Sequence, residues 1–468
     1  MIRLTLLYLL ISGLAVYAWK DWYKSLCGLV LLMAVIEHPE MPKSMLGIQG
    51  LNPWNILLFI IVIAWASNRR REGLYWDMPR HINILLLLYL SIIIIGFLRM
   101  ISDTGGMLEW AQITGQDEPT TAGLFSEHFV NPLKWVVPGM LMFDGCRDRK
   151  RFNYSLLCML GLYFLLAVQV INWMPLSAVT SGEALKERSL KILVKEIGYH
   201  RVNLSMMLAG AFWAILSILP LVNSKKQRIG ILASSLITMF AQALTGGRTG
   251  YATWAAVGMV LGIIRWRKYL LLIPFLILAI VLIVPGAVER FSQGFSPETR
   301  DTNVRLSESY YSSESSYDLY TITAGRNVAW PYVIEKIQEA PLWGHGTEAM
   351  QRTGITIDLW QTFGEEFPHP HNAFLQWLLD NGLIGFISVF LFYATVIRYS
   401  ISLFRNSRSP VYIAIGGVTL SLVTALLFAS VGSETFYPRE GTVGMWCAIG
   451  LMFRVYMERS KLLRRMRL

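Results

Sequence analysis

Charge is scarce in this sequence: 16% of the residues are Asp, Glu, Lys or Arg, against 54% hydrophobic. Soluble domains carry about a quarter charged residues, so a water-soluble fold for 468 residues is excluded. Cysteine is rarer still. Cys27, Cys146, Cys158 and Cys447 all lie in or beside apolar runs, and none has a partner at metal-ligand spacing. Neither a disulfide framework nor a zinc site is predicted. Acidic residues are outnumbered by basic ones, 31 to 42. The surplus sits in short clusters between apolar runs, as membrane orientation requires, so the expected partner is a lipid bilayer and no nucleic acid.

What is present is a succession of apolar runs near the length of roughly 20 residues that a helix needs to cross a bilayer. Runs at 2–18, 25–37, 54–67 and 82–97, one from Leu133 to the basic cluster at Arg147, and one at 153–175 are followed by runs at 202–222, 229–244, 251–264 and 270–288. A long helix over 372–397 and two last spans, from Tyr412 and after Gly441, complete the set. Val16-Tyr17-Ala18 is similar to a signal-peptidase site, but an uncleaved first helix is the expectation. Asn68-Arg69-Arg70-Arg71 fixes one face as cytoplasmic. Alternation from there puts Arg147–Arg151, Lys225–Arg228, Arg265–Lys268, Arg405, Arg408 and the C-terminal basic residues on that face. The fold class is therefore all-α: a polytopic integral membrane protein of about 12–13 transmembrane helices. It divides into helices 1–10 over residues 1–288, a large external loop with short helices over 289–371, and C-terminal helices over 372–468.

Stretches 102–131 and 176–200 read as external loops. The segment 289–371 holds 12 acidic and 6 basic residues in a chain that is basic overall, which again disfavours nucleic acid. Ser292–Tyr320 lacks periodicity and reads as a mobile loop. Arg326–Ala340 has helical spacing, with Pro331 in its first turn and Pro341 as a stop. Three helix starts then face outward: one after Thr245-Gly246-Gly247-Arg248, one at Arg326, and one after Pro368-His369-Pro370-His371-Asn372. Free N–H groups and two arginines make an anion site, and a lipid-linked phosphate is the anion a membrane protein meets. His369 and His371, even with Glu365 or Glu366, lack a third fixed ligand, so no metal is predicted. Asp380 falls within a helix that spans about 39 Å, where it reaches the interface in a structural role.

His371-Asn372-x-x-Leu375 followed by Gly382-Leu383-Ile384-Gly385 resembles the signature of the bacterial O-antigen ligase and polymerase superfamily. Gly325-Arg326 with Trp330 ahead of Pro341-Leu342-x-Gly344-x-Gly346, and the Thr245–Gly250 turn, resemble it too. The resemblance covers roughly residues 200–400. It implies a multi-pass enzyme of the bacterial inner membrane with its site facing the periplasm. Such an enzyme is a metal-independent, inverting glycosyltransferase that needs no cofactor or nucleotide sugar. It moves a glycan from undecaprenyl pyrophosphate to a hydroxyl of an acceptor glycan or glycolipid, alongside polysaccharide chain-length or export partners. Carried onto this chain, Arg248 and Arg326 bind the pyrophosphate, with Arg201 a further candidate, and His371 is the general base. Gly247, His369 and Asn372 are supporting residues. A helix N-terminus disfavours imidazolium, which suits a neutral base. Between polymerase and ligase, the Tyr- and Ser-rich loop favours polymerisation of O-antigen or exopolysaccharide repeat units. Ligation to lipid A core is the alternative. A lipid-linked glycan flippase would instead show charged or broken helices at mid-membrane.

Overall fold

The structure is a computed structural model that describes residues 2–45, 48–292, 326–364, 366–432 and 435–465. The expected loop after Ser292, together with Gly325 and Glu365, lies outside the described residues. The helices used below are α1 (Ile2–Ala18), α2 (Trp22–Leu32), α3 (Pro53–Asn68), α4 (Arg80–Ser102), α5 (Val137–Gly145) and α6 (Arg149–Trp173). They continue with α7 (Gly182–Glu196), α8 (Arg201–Ser217), α9 (Lys225–Leu244), α10 (Arg248–Leu261), α11 (Ile273–Ile283) and α12 (Pro285–Ser292). After the loop come α13 (Arg326–Glu339), α14 (Ile355–Phe363), α15 (Ala373–Phe404), α16 (Pro410–Ala429) and α17 (Val443–Arg465). The protein is all-α and polytopic, as its composition requires. Among the described residues the one strand pair is two residues long, Ser44–Met45 against Ile48–Gln49.

Among the described residues five helices are long and apolar enough to cross a membrane: α4, α6, α8 with the turn to Leu221, α15 and α16. Several of the other expected spans are shorter apolar helices or are broken. Residues 2–18, 22–35 and 53–68 form three such short helices. The run at 270–288 turns through 103° between α11 and α12. The helix expected over 372–397 is not continuous either. Gly382, at φ 61° and ψ −167°, interrupts α15, and Leu383 and Ile384 donate instead to the carbonyls of Pro341 and Leu342 at 2.8 and 3.1 Å. Only a residue without Cβ takes that conformation at no cost. Leu383–Phe404 still extends about 33 Å, enough for a bilayer core. The stretches expected as loops are also partly helical: 176–200 contains α7, and 102–131 contains Gly105–Thr114.

The core is centred on α8 and α16, which are buried almost all round. Gly210 of α8 faces the Ala425 methyl and Leu422 of α16, so the two backbones approach as closely as small residues permit in a membrane helix pair. Charge is gathered at one end. Asp77 receives Arg454 at 2.8 Å and Lys461 at 2.6 Å, and Asp144 receives Arg69 at 3.0 Å. Arg147 reaches both carboxylates, at 3.4 and 3.5 Å. The basic clusters after α3, after α5 and in α17 therefore do share a face, as their alternation implied. Arg265 and Arg459 bind the carbonyls of Phe404 and Ser402, so α15 ends near this face and its start lies at the opposite end.

Candidate functional site

Glycine brings the first two arginines together. Gly247 and Gly250 open α10 against the first turn of α8, where a Cβ on Gly250 would overlap the Ser205 hydroxyl and one on Gly247 would stand 3.0 Å from Ser205 Cβ. Arg248 heads α10 and Arg201 heads α8, so the close approach sets their guanidinium groups in one cluster. A third arginine comes from α12. Glu289 accepts the Gly182 N–H at the start of α7 at 2.9 Å, and Gly286 rests on the Ser181 carbonyl. That docking turns Arg290, 8% exposed, toward Arg248 and Arg201. Arg326 opens α13 and lies within the field of Arg248.

The histidine segment is tied to the same place by backbone. Ala373 N donates to Ser430 O at 2.8 Å, and two residues on Gly432 packs on the side chain of Thr249, next to Arg248. From the other side Trp330 Nε1 of α13 donates to Pro370 O at 3.0 Å. Asn372 caps α15, its Oδ1 accepting from Phe374 N at 3.0 Å and Leu375 N at 3.2 Å. His371 itself is held at φ 51°, the left-handed region that a side chain disfavours. Its Nδ1 is buried without a hydrogen-bond partner. The His369 and His371 rings stand 4.1 Å apart.

The electrostatics follow from this crowding. Burial, then His369, Arg326 and His200, hold His371 down to about 3, so it is neutral at physiological pH. Burial, then Arg439, Arg326 and His200, hold His369 down to about 4. Burial and the Arg248 charge bring Arg326 down to about 10, and burial lowers Arg248; both remain charged near neutrality. Among the described residues neither Arg201 nor Arg248 closes an ion pair; Arg201 Nε is buried without a partner and Nη1 makes a long 3.5 Å contact to Lys186 O. Half-buried guanidinium groups that repel one another form a strong receptor for a polyanion. A neutral imidazole beside them can accept a proton.

The residues marked by the motifs thus converge: Arg201, Arg248, Arg326, His369 and His371, with Gly247 and Asn372 in packing and capping positions. Residues 233–390 match the family described as O-antigen ligase. The match supports membership of the O-antigen ligase and polymerase superfamily, and it runs from within α9 to within α15. It takes in Arg248, Arg326 and His371 and leaves Arg201 outside. Among curated proteins none matches the chain. Sequence reasoning missed Arg290, because only the turn between α11 and α12 carries it back to the cluster. It also missed His200 and Arg439 as neighbours of the histidine pair; His200 stands beside Arg201, and Arg439 carries no motif.

Proposed function

We propose that this protein is a membrane glycosyltransferase that moves a glycan from a lipid-linked pyrophosphate to an acceptor hydroxyl at the external face. The family match supports lipid-linked glycan transfer in O-antigen assembly. The observation that carries the finer reading is the pairing of a half-buried, neutral His371 with Arg201 and Arg248, which close no ion pair among the described residues. The resemblance implies undecaprenyl pyrophosphate as the carrier and the periplasm as the compartment. Arg201, Arg248 and Arg326 hold the pyrophosphate and offset the charge that grows on it as the anomeric carbon–oxygen bond breaks. The acceptor oxygen attacks the anomeric carbon from the opposite side, which inverts it, while His371 takes the hydroxyl proton. The electron pair of the broken bond leaves on the pyrophosphate. Arginine supplies the charge stabilisation in each step, so the mechanism requires neither a metal nor a nucleotide sugar.

Polymerisation, with a second lipid-linked glycan as acceptor, is the favoured reaction. Ligation to lipid A core is the second reading, and the family's own description favours it. Reconstitution with purified lipid-linked repeat units tests both. Lengthening with no added acceptor identifies a polymerase, product only after lipid A core is supplied identifies a ligase, and no transfer to either sinks the reading.

A further inference from the structure

Beside the arginine cluster stands a second group of charged side chains that the reaction above does not use: Glu37, Lys134, Arg439 and Glu440. They come from three separate places in the chain. Glu37 follows α2, Lys134 ends the short helix Asn131–Lys134, and Arg439 and Glu440 lie between α16 and α17. The stretch Gly198-Tyr199-His200 borders Glu37 and the Arg439–Gly441 turn, and Lys134 lies within the field of Glu440 and Glu37. Gly198, at φ 89°, lies directly on the Glu37 carbonyl, where no Cβ fits. Tyr199 OH donates to Met33 O at 3.5 Å, and a Cβ on Gly441 would stand 3.8 Å from the Tyr199 ring. His200, the next residue, leads into the histidine pair. All four charged residues are half-buried.

Charge and hydrogen bonding separate this group from the arginine cluster. Among the described residues Glu37, Lys134 and Glu440 close no ion pair with one another, and Lys134 Nζ donates to Asn55 Oδ1 at 2.9 Å. Burial first and Glu440 second push Glu37 up to about 7. Two carboxyl groups, an ammonium and a guanidinium offer acceptors and donors of mixed sign, a set that suits a neutral polyhydroxyl ligand better than a polyanion. Position supports the same division. Trp330 of α13 ties the histidine segment to the helix that Arg326 opens, while Gly198, two residues before His200, rests on Glu37. Arg326 acts on His371 and His369, and Arg439 on His369 and His200, so both groups border the histidine pair. In an inverting displacement the leaving group and the incoming hydroxyl occupy opposite sides of the anomeric carbon. With the leaving pyrophosphate at the arginines, the attacking sugar enters from the side of Glu37 and Glu440.

We propose that Glu37, Lys134, Arg439 and Glu440 form the acceptor subsite, binding the hydroxyl groups of the sugar that attacks; this rests on the transfer reading above. The test uses the full-length protein with lipid-linked repeat units as donor. The acceptor is repeat-unit oligosaccharide released from its lipid or, separately, lipid A core, and undecaprenyl pyrophosphate is the competitive probe of the donor side. Glu37→Gln and Glu440→Gln are each expected to raise the acceptor KM about tenfold, the loss of one charge-assisted hydrogen bond. Inhibition by undecaprenyl pyrophosphate is expected to stay within about twofold of wild type, which also certifies the fold of the variants. Glu37→Asp, which keeps the carboxylate, is expected to recover part of the loss. Unchanged acceptor KM in both Gln variants overturns the subsite, and so does an equal weakening of undecaprenyl pyrophosphate. Wild-type protein that transfers to neither acceptor overturns the transfer reading and the subsite together.

Discussion

His371 carries two costs that its immediate surroundings do not repay, a left-handed backbone and a buried Nδ1 with no partner. Such costs persist where a site requires the geometry. If His371 is the base, His371→Ala abolishes product formation while lipid-linked substrate still binds, and turnover retained by this variant would remove the assignment. His371→Gly is expected to unfold at a temperature no lower than His371→Ala, because glycine accepts φ 51° without strain; scanning calorimetry decides. Arg248→Ala and Arg326→Ala each weaken pyrophosphate binding about tenfold or more, read from competition with undecaprenyl pyrophosphate. The pH profile follows from the same crowding. With burial, His369, Arg326 and His200 holding His371 down to about 3, kcat/KM has no acidic limb from this residue between pH 7 and pH 5. Bound pyrophosphate offsets the arginine charge and favours imidazolium, so the acidic limb of kcat lies at higher pH than that of kcat/KM. A kcat/KM that is already halved near pH 6.5, the ordinary histidine value, contradicts this.

At the scale of elements, the site depends on how closely helix starts approach. A methyl group on Gly250 meets Ser205, so Gly250→Ala moves the start of α10 away from α8 and separates Arg248 from Arg201. The expected result is a loss of pyrophosphate binding that Ser205→Gly partly restores in the double variant; additive losses would place the effect elsewhere. Trp330 Nε1 holds the Pro370 carbonyl at 3.0 Å, one residue before His371. Trp330→Phe keeps the ring and removes the donor, and should lower kcat about tenfold with undecaprenyl pyrophosphate affinity unchanged. The break in α15 is a device of the same kind. Asp380 Oδ1 accepts from Ala349 N at 3.2 Å and Oδ2 from Tyr437 OH at 3.0 Å, while Asn381 Nδ2 donates to Tyr437 at 3.0 Å. The residues before Gly382 thereby hold the turn that presents Arg439.

Across the whole molecule the two ends are built in opposite ways. At one end arginine and lysine are matched by Asp77 and Asp144, and Arg454, 1% exposed, is bound by Asp77 and the Phe143 carbonyl. Removing a partner leaves a buried charge uncompensated, so Asp77→Asn is expected to destabilise the fold by about 3 kcal/mol, measured by thermal unfolding in detergent, with the acceptor KM unchanged. At the other end Arg201 and Arg248 close no ion pair among the described residues, although Glu183 lies within the field of Arg201. That contrast is what a binding site looks like in a chain otherwise careful with buried charge.

Composition alone determined the class of this protein, because a chain with 16% charged residues cannot fold as a soluble domain of this size. Basic clusters told which segments share a face, since lysine and arginine mark one side of a bilayer whatever the packing. Glycine, arginine and histidine motifs marked the elements of the site, and the start of α13 at Arg326 was legible from its periodicity, although Pro331, expected in the first turn, lies inside the helix. Tertiary structure decided what periodicity cannot encode. Hydrophobicity does not distinguish a straight span from one that bends, so the turn that returns Arg290 and the break at Gly382 were invisible in it. Nor does spacing along the chain reveal that Ser430 and Thr249 join His371 to Arg248. Those contacts depend on close backbone approach between distant helices, and only the packed bundle specifies that.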